Sequence, residues 1–276
     1  MKPKREQKVA AAVLGLFVLV TVAILVFIIA FILSKGLPVL SWSFLSSNPL
    51  DMGRAGGIFS TIVGTLVLTL GALVIAVPLG VGTAIFLTEY TWENRLTRVI
   101  RFGTDCLAGI PSIIFGLFGF ILFVTKLKMG WSILSGSLTL SFMLLPTIIR
   151  TSEEAIRSVP GSFREVGFSL GSTRWQTVTR VVMPSAIPGI ATGIMLSLGR
   201  AIGETAAVIF TAGSALRLPS SLFSSSRTMS VHFYILAREG ISIDNAYGTA
   251  AVLVIAILAI NSVTYYLMNK YIRKYR

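Results

Sequence analysis

Arg200 and Glu204 are the residues of this sequence most able to do chemistry, because they are the only charged side chains in the apolar run Ser185 to Ala212. A charge at the centre of a membrane helix costs about 2.5 to 3.5 kcal/mol on insertion scales, so each needs a partner or water. Standing four apart, they share one helical face and can pair, with that face turned to a bundle interior or a water-filled cavity. Two uses are open. The pair neutralises itself and helps two subunits pack, or Arg200 binds an oxyanion through charge-assisted hydrogen bonds while Glu204 orients it or limits its attraction. The second use suits transport, since a partnered arginine holds an anion weakly enough to release it. Thr205 and Thr211 add hydroxyls to the same run, although a threonine in a membrane helix more often bonds its own i−4 carbonyl.

Other chemistry is poorly supplied. Cys106 is the only cysteine, which permits neither an internal disulfide nor a cysteine metal cluster, and it reads as packing. His232 is also alone and reads as a satisfied histidine, not a ligand. One histidine is too few for a hydrolytic triad or a zinc site, and no G-x-x-x-x-G-K-[ST] occurs, so any ATP is handled by a partner. No metal site and no enzyme active centre is expected.

The elements that position these residues follow from composition. The chain has 276 residues, 54% of them hydrophobic and 13% charged, with a mean hydropathy of +0.82, which is outside the soluble globular range. Apolar runs of about 20 residues mark membrane helices, and six emerge: Val9 to Leu33, Gly57 to Thr88, Phe102 to Thr125, Met129 to Ile149, Ser185 to Ala212 and Ala246 to Asn269. The third is the weakest, with Asp105 near its start and Pro111 inside it. Leu, Ile, Val and Phe run on without alternation, which fits lipid-facing helices and not an outer-membrane barrel. The first run is longer than a signal-peptide core and reads as a retained span.

The formal charge of +13 raises nucleic acid as a partner, and its distribution argues against one. With the N-terminus inside, sixteen of the 24 basic residues fall on the cytoplasmic side, among them Lys2, Lys4, Arg5 and Lys8, Arg95, Arg98 and Arg101, Arg164 and Arg174, and Lys270 to Arg276. This is the positive-inside bias, and six spans return both termini to the cytoplasm.

The polar stretch from Arg164 to Gly189, REVGFSLGSTRWQTVTRVVMPSAIPG, reads as two short helices on that side. Ser162 to Glu165 fits an S-x-x-E capping box. Gly171 suits a left-handed helix end, Ser172 can cap a second helix running through Trp175 to Val182, and Pro184 and Pro188 open the next span. Read without a family, it is a well-capped connector whose arginines touch lipid headgroups.

The pattern Glu165-Val166-Gly167, then Gly171, then Met183-Pro184, resembles the EAA loop of ABC importer permeases, by which such subunits grip their ATPases. Val166 and Gly167 replace the two alanines, and Val181 and Met183 replace the usual isoleucine and leucine. The texts GRAIGETAAV at Gly199 to Val208 and GGIFSTIVGTLVLTL at Gly56 to Leu70 resemble the phosphate-specific branch, and the short outer loop between the first two spans favours one of its two permeases over the sister. The resemblance implies a single all-helical, six-span, MetI-like permease domain over residues 1–276, with a cytoplasmic coupling loop at 152–182. It implies ATPase coupling through Glu165, Gly167, Gly171, Trp175 and Pro184, and a substrate path along Arg200, Glu204 and Thr205. Glu165 has two candidate roles, helix cap and salt bridge to the ATPase. The implied partners are a sister permease, an ATPase dimer that holds ATP and Mg, an extracytoplasmic phosphate-binding protein and membrane lipid, in a bacterial or archaeal cytoplasmic membrane. The rivals are a permease for another oxyanion, the sister subunit, and a stand-alone carrier or channel in which Arg200 and Glu204 serve ion coupling.

Three further features complete the sequence. Asp105 lies within reach of Arg101 at the cytoplasmic entrance, where a helix-end or interfacial role is expected. Pro78, Pro111 and Pro146 can kink their spans, and Gly80, Gly82, Gly116 and Gly119 permit close helix approach. Met229 to Arg238, in the outer segment from Ser214 to Asp244, forms a short surface helix that meets the binding protein or lies at headgroup level without a partner.

Overall fold

A computed structural model describes residues 5–275, so that Lys2, Lys4 and Arg276 of the basic termini lie outside it. In chain order its helices are α1 (Arg5–Gly36), α2 (Trp42–Ser46), α3 (Phe59–Ile85), α4 (Arg95–Ala108), α5 (Ser112–Gly119) and α6 (Ile133–Arg157), then α7 (Gly161–Ser169), α8 (Arg174–Thr177), α9 (Met183–Gly203), α10 (Ala206–Thr211), α11 (Met229–Arg238) and α12 (Ile243–Tyr275). Two short strands, β1 (Pro49–Leu50) and β2 (Ala55–Gly56), pair antiparallel with Pro49 opposite Gly56. Five helices are long and apolar enough to cross a bilayer, and a bent pair makes a sixth if it is taken as one broken span.

The centre is the pairing of α3 with α6, where Leu68, Ala72 and Ala76 meet Leu140, Met143, Leu144 and Ile148. Lipid is as apolar as leucine, so helices in it are held by close fit and by polar contacts between them. Ser137 and Ser141 of α6 supply these contacts, their hydroxyls donating to the Leu68 and Ala72 carbonyls at 3.1 and 2.9 Å. Pro78 and Pro146 lie inside α3 and α6, and neither ends its helix. On the other side of α6, α9 packs Ala186 and Ile190 against Ala155 and Ile156. α1 and α12 pack on each other at the periphery, and Leu14 to Phe27 of α1 face outward along their whole length.

Three expected spans need correction. Phe102 to Thr125 is not one helix: α4 and α5 with its π-helical extension to Lys126 meet at 103°. Pro111 begins the second arm, and its ring disfavours helical backbone at Ile110 while its missing N–H breaks the ladder. The span expected from Met129 starts at Ile133, because Lys128 and Gly130 take φ of 53° and 66° and Ser132 caps the helix. Ser185 to Ala212 divides at Glu204, whose ψ of 125° separates α9 from α10. α10 is then free to pack beside α5, where Gly116 faces Ala207 and Gly119 faces Thr139 and Thr211.

The outer segment also differs from the surface helix expected there. Met229 to His232 and Leu236 of α11 are buried, the Met229 N–H donates to Thr65 Oγ1 of α3 at 2.9 Å, and the β1–β2 turn closes over His232 through Gly53. His232 is thus a core histidine. Its pKa is pushed down to about 4, first by burial and then by the charge of Arg227, whose Nη1 lies 3.4 Å from Nδ1.

Candidate functional site

One end of the bundle carries the two short helices α7 and α8. The turn between them follows from Gly171, whose φ of +78° suits glycine. Gly167 is buried, and a methyl placed on it would lie 3.1 Å from Thr177 of α8, so a small residue sets the spacing of the two helices. Ser172 fastens the turn by donating to the Gly167 carbonyl at 2.7 Å. The caps differ from expectation. Thr173, not Ser172, caps α8, in a reciprocal box with Gln176. α7 starts at Gly161 after Pro160 with no side-chain cap, so Ser162 and Glu165 form no capping box. Glu165 is instead exposed and takes part in none of the ion pairs among the described residues. Around it Phe163, Val166, Leu170 and Trp175 are exposed, Leu170 at 82%, while Pro184 is half-buried at the start of α9.

This helix pair is tied to the membrane helices by a residue the sequence reading passed over. Glu89, in the π-helical turn Phe86–Tyr90 that ends the α3 rod, accepts from Arg164 Nη2 at 2.7 Å and from Nε at 3.1 Å. The same guanidinium donates to the Val159 and Ile156 carbonyls at the end of α6 at 2.8 and 3.0 Å. Arg174 of α8 donates to the Glu89 carbonyl at 3.0 Å. A carboxylate at the end of an apolar run, facing an arginine-bearing loop, was the available signal. No local pattern joins positions this far apart.

A second charged group borders this end. Arg101 of α4 meets Glu153 of α6 at 2.8 Å and Glu93 at 3.3 Å. Asp105 pairs with Arg150 at 2.8 Å, not with Arg101 as expected. Between α4 and α6, Arg101, Asp105, Arg150 and Glu153 line a cavity of about 250 Å3. Cys106 is exposed on α4, contrary to a packing role.

The structure separates the jobs of Arg200 and Glu204. Because α9 ends at Gly203, the two no longer share a continuous helical face, and no ion pair joins them among the described residues. Glu204 is 8% exposed; its Oε1 accepts from the Ala207 N–H at 3.2 Å and its carbonyl accepts from the Ser230 hydroxyl at 2.7 Å. It therefore starts α10 and holds α11. Arg200 is exposed in the last turn of α9, where the helix dipole favours a cation. At 1.5 Å per residue it stands roughly 24 Å along the helix from Pro184, beyond the middle of a ~30 Å core. Thr205 opens on a cavity of about 1020 Å3 bounded by α5, α10 and α11, with Trp131, Phe210, Tyr234 and Arg238 in its wall. Thr211 bonds the Ala207 carbonyl four residues back at 2.7 Å, as expected, whereas Thr205 reaches only the Gly203 carbonyl at 3.4 Å.

Gly167 to Gly171 also spells G-x-S-x-G. Ser169 lies in the last turn of α7 with its hydroxyl on the Glu165 carbonyl at 2.9 Å, and no strand precedes it, so this is not a nucleophile elbow.

Residues 76–276 match the family described as binding-protein-dependent transport system inner membrane component. The chain is 36% identical over 277 residues to the probable ABC transporter permease protein YqgI of Bacillus subtilis, covering 95% of this chain and 94% of that one. It is 36% identical over 223 residues to phosphate transport system permease protein PstA 1 of Mycobacterium tuberculosis H37Rv, covering 80% and 72%. Among solved structures, a bacterial ABC transporter involved in the import of the acidic polysaccharide alginate superposes with a TM-score of 0.68 at 17% identity, over 97% of this chain and 96% of that one. The inward-facing MetNI methionine ABC transporter does so with a TM-score of 0.60 at 19% identity, over 78% and 94%. These two likenesses show a MetI-like permease fold.

Proposed function

The chain belongs to the family of binding-protein-dependent transport system inner membrane components, and we propose that within it this chain is a permease subunit of an ATP-driven phosphate importer, of the PstA type and not its PstC-like sister. The observation that carries the reading is the coupling face. Phe163, Leu170 and Trp175 stand exposed beside Glu165 on a helix pair anchored to α3 and α6, and nothing else in the described chain covers them. Such a surface fits an ATPase that brings the ATP and Mg site. On this reading ATP hydrolysis belongs to that partner, and this chain is the non-catalytic permease subunit. Phosphate as the cargo is supported by the PstA relative and by Arg200, an exposed cation on the fifth apolar run able to take an oxyanion.

On this reading both termini and the coupling helices lie on the cytoplasmic side, the sister permease completes the path beside Arg200 and Thr205, and a phosphate-loaded binding protein engages the opposite end. Closure of the ATPase pair draws the coupling helices together and rocks the bundle as a rigid body, and hydrolysis resets it. The test is labelled phosphate uptake into proteoliposomes holding this chain, its sister permease and ATPase, with loaded binding protein on the face opposite ATP. Uptake that needs ATP and resists competition by sulfate supports the reading. Uptake by this chain alone without ATP overturns it in favour of a carrier or channel.

A further inference from the structure

The face of α4 turned away from α6 has no partner among the described residues. Its inner side is held by the Arg101–Glu153 and Asp105–Arg150 pairs, and its outer side presents Leu96, Val99 and Phe102, the last 70% exposed. Trp92, 81% exposed, precedes the helix. Because α4 meets α5 at 103° and is fixed to the charged end of α6, it runs across the bundle at the level where α6 leaves the apolar region. Arg95 and Arg98 stand at the margin of the apolar stripe, exposed and in none of the ion pairs among the described residues. They occupy the first turn of α4, where the helix dipole disfavours cations, so helix stability does not explain them.

We infer that α4 is an interfacial helix that binds anionic phospholipid, seating Leu96, Val99 and Phe102 among acyl chains and receiving the phosphate of the headgroup on Arg95 and Arg98. An amphipathic helix with an apolar stripe, flanking cations and an adjacent tryptophan matches that surface in shape and charge. A sister permease fits the face less well. Covering it with protein leaves two arginines to be desolvated that are paired with no acid among the described residues, whereas each is worth about fivefold in attraction to an anionic membrane surface. The inference does not depend on phosphate being the cargo, and it fixes α4 as the lipid-facing brace of the end that α7 and α8 occupy.

The experiment uses the full chain assembled with cysteine-free sister permease and ATPase, in nanodiscs of phosphatidylcholine alone or with about one third phosphatidylglycerol. Cys106, the only cysteine of this chain and exposed on α4, carries an environment-sensitive fluorophore, and lipid retained through detergent extraction is measured by mass spectrometry. Phosphatidylglycerol should be retained and should shift the emission. Arg95→Gln with Arg98→Gln should lower its retention more than tenfold without changing phosphatidylcholine, and the lysine pair should restore it. Equal retention by the glutamine variant overturns the inference, as does a fluorophore shielded equally in both lipids and only when the sister permease is present. If the double variant does not assemble, the comparison of the two lipids on the unaltered arginines decides.

Discussion

Arg164 grips the Glu89 carboxylate with two nitrogens, at 2.7 and 3.1 Å, across 75 residues of sequence, and so joins the end of the α3 rod to α7. Its remaining donors hold the end of α6. One guanidinium therefore fixes the angle between two central membrane helices and the exposed α7–α8 face proposed to receive an ATPase. Glu89→Gln leaves a neutral acceptor, while Glu89→Ala leaves the arginine half-buried without a counter-charge. The alanine variant should lose about 3 kcal/mol of stability, toward the low end for a broken buried pair because Arg164 keeps 21% of its side chain exposed. The glutamine variant should assemble and hydrolyse ATP with transport reduced more than ATPase activity. A fall in both in equal proportion would assign Glu89 to assembly alone.

The Glu165 side chain makes no hydrogen bond or ion pair among the described residues, so changing it should leave the fold intact and weaken only the attachment of an ATPase. Glu165→Lys is expected to lower ATPase co-purification at an unchanged melting temperature. Gly171→Ala acts differently, because its left-handed φ of +78° strains any L side chain, and should cost about 1 kcal/mol through the turn itself. An undisturbed complex in the Glu165→Lys variant would remove that residue from the interface.

What could be read in the sequence followed the range of the physics involved. Apolar length located α1, α3, α6 and α12, and the left-handed glycine at 171 marked the turn between α7 and α8. The caps failed locally because Thr173 with Gln176 offered the same chemistry as Ser172 one residue earlier, and Pro160 set the start of α7 before Ser162. The break at Glu204 was hidden because an i, i+4 charge pair in an apolar run looks like a continuous helix. Only the free N–H of Ala207 gives that carboxylate another partner, while the Ser230 hydroxyl, brought back by the fold, takes the Glu204 backbone carbonyl. Glu89, Arg164 and Asp105 find partners through tertiary packing, which periodicity does not encode.

The close meeting of α5, α6 and α10 rests on two glycines. A methyl on Gly119 would overlap Thr139 and approach Thr211 Cγ2 to 2.9 Å, and one on Gly116 would lie 2.8 Å from the Ala207 Cα, whereas Gly82 faces open space. Gly116→Ala and Gly119→Ala should each destabilise by about 1 to 3 kcal/mol, and Gly82→Ala should be neutral or slightly stabilising. Thermal unfolding of the three variants in detergent checks the order; equal losses at all three would show that helix propensity, not packing, sets the response.

His232 sets a pH dependence with a definite sign. The folded chain holds it to about 4 against an ordinary 6.5, so between these values the unfolded chain takes up a proton that the fold refuses. Its contribution to stability is complete above pH 6.5, is lost as pH falls towards 4, and changes no further below that. The loss reaches about 3 kcal/mol at most. Replacement by Gln, which keeps a polar group beside Arg227, should flatten the melting temperature between pH 7 and 5; an unchanged slope in that variant would place the proton uptake elsewhere.

Glu204 and Arg200 are separable because, among the described residues, one side chain is engaged and the other is not. Glu204→Gln keeps an oxygen for the Ala207 N–H and removes only the charge, while Glu204→Ala removes the side-chain acceptor that caps this N–H in the first turn of α10 and should cost about 1 kcal/mol. If the carboxylate serves as a cap, Gln should transport nearly as well as Glu and Ala should not. If its charge tempers Arg200, both variants should fail alike while Gln retains full stability. Arg200→Gln touches no internal contact of the described structure, so it should abolish uptake and leave assembly and melting unchanged. Transport at the original rate in that variant would place the anion path elsewhere, with the cavity beside Thr205 as the next wall to test.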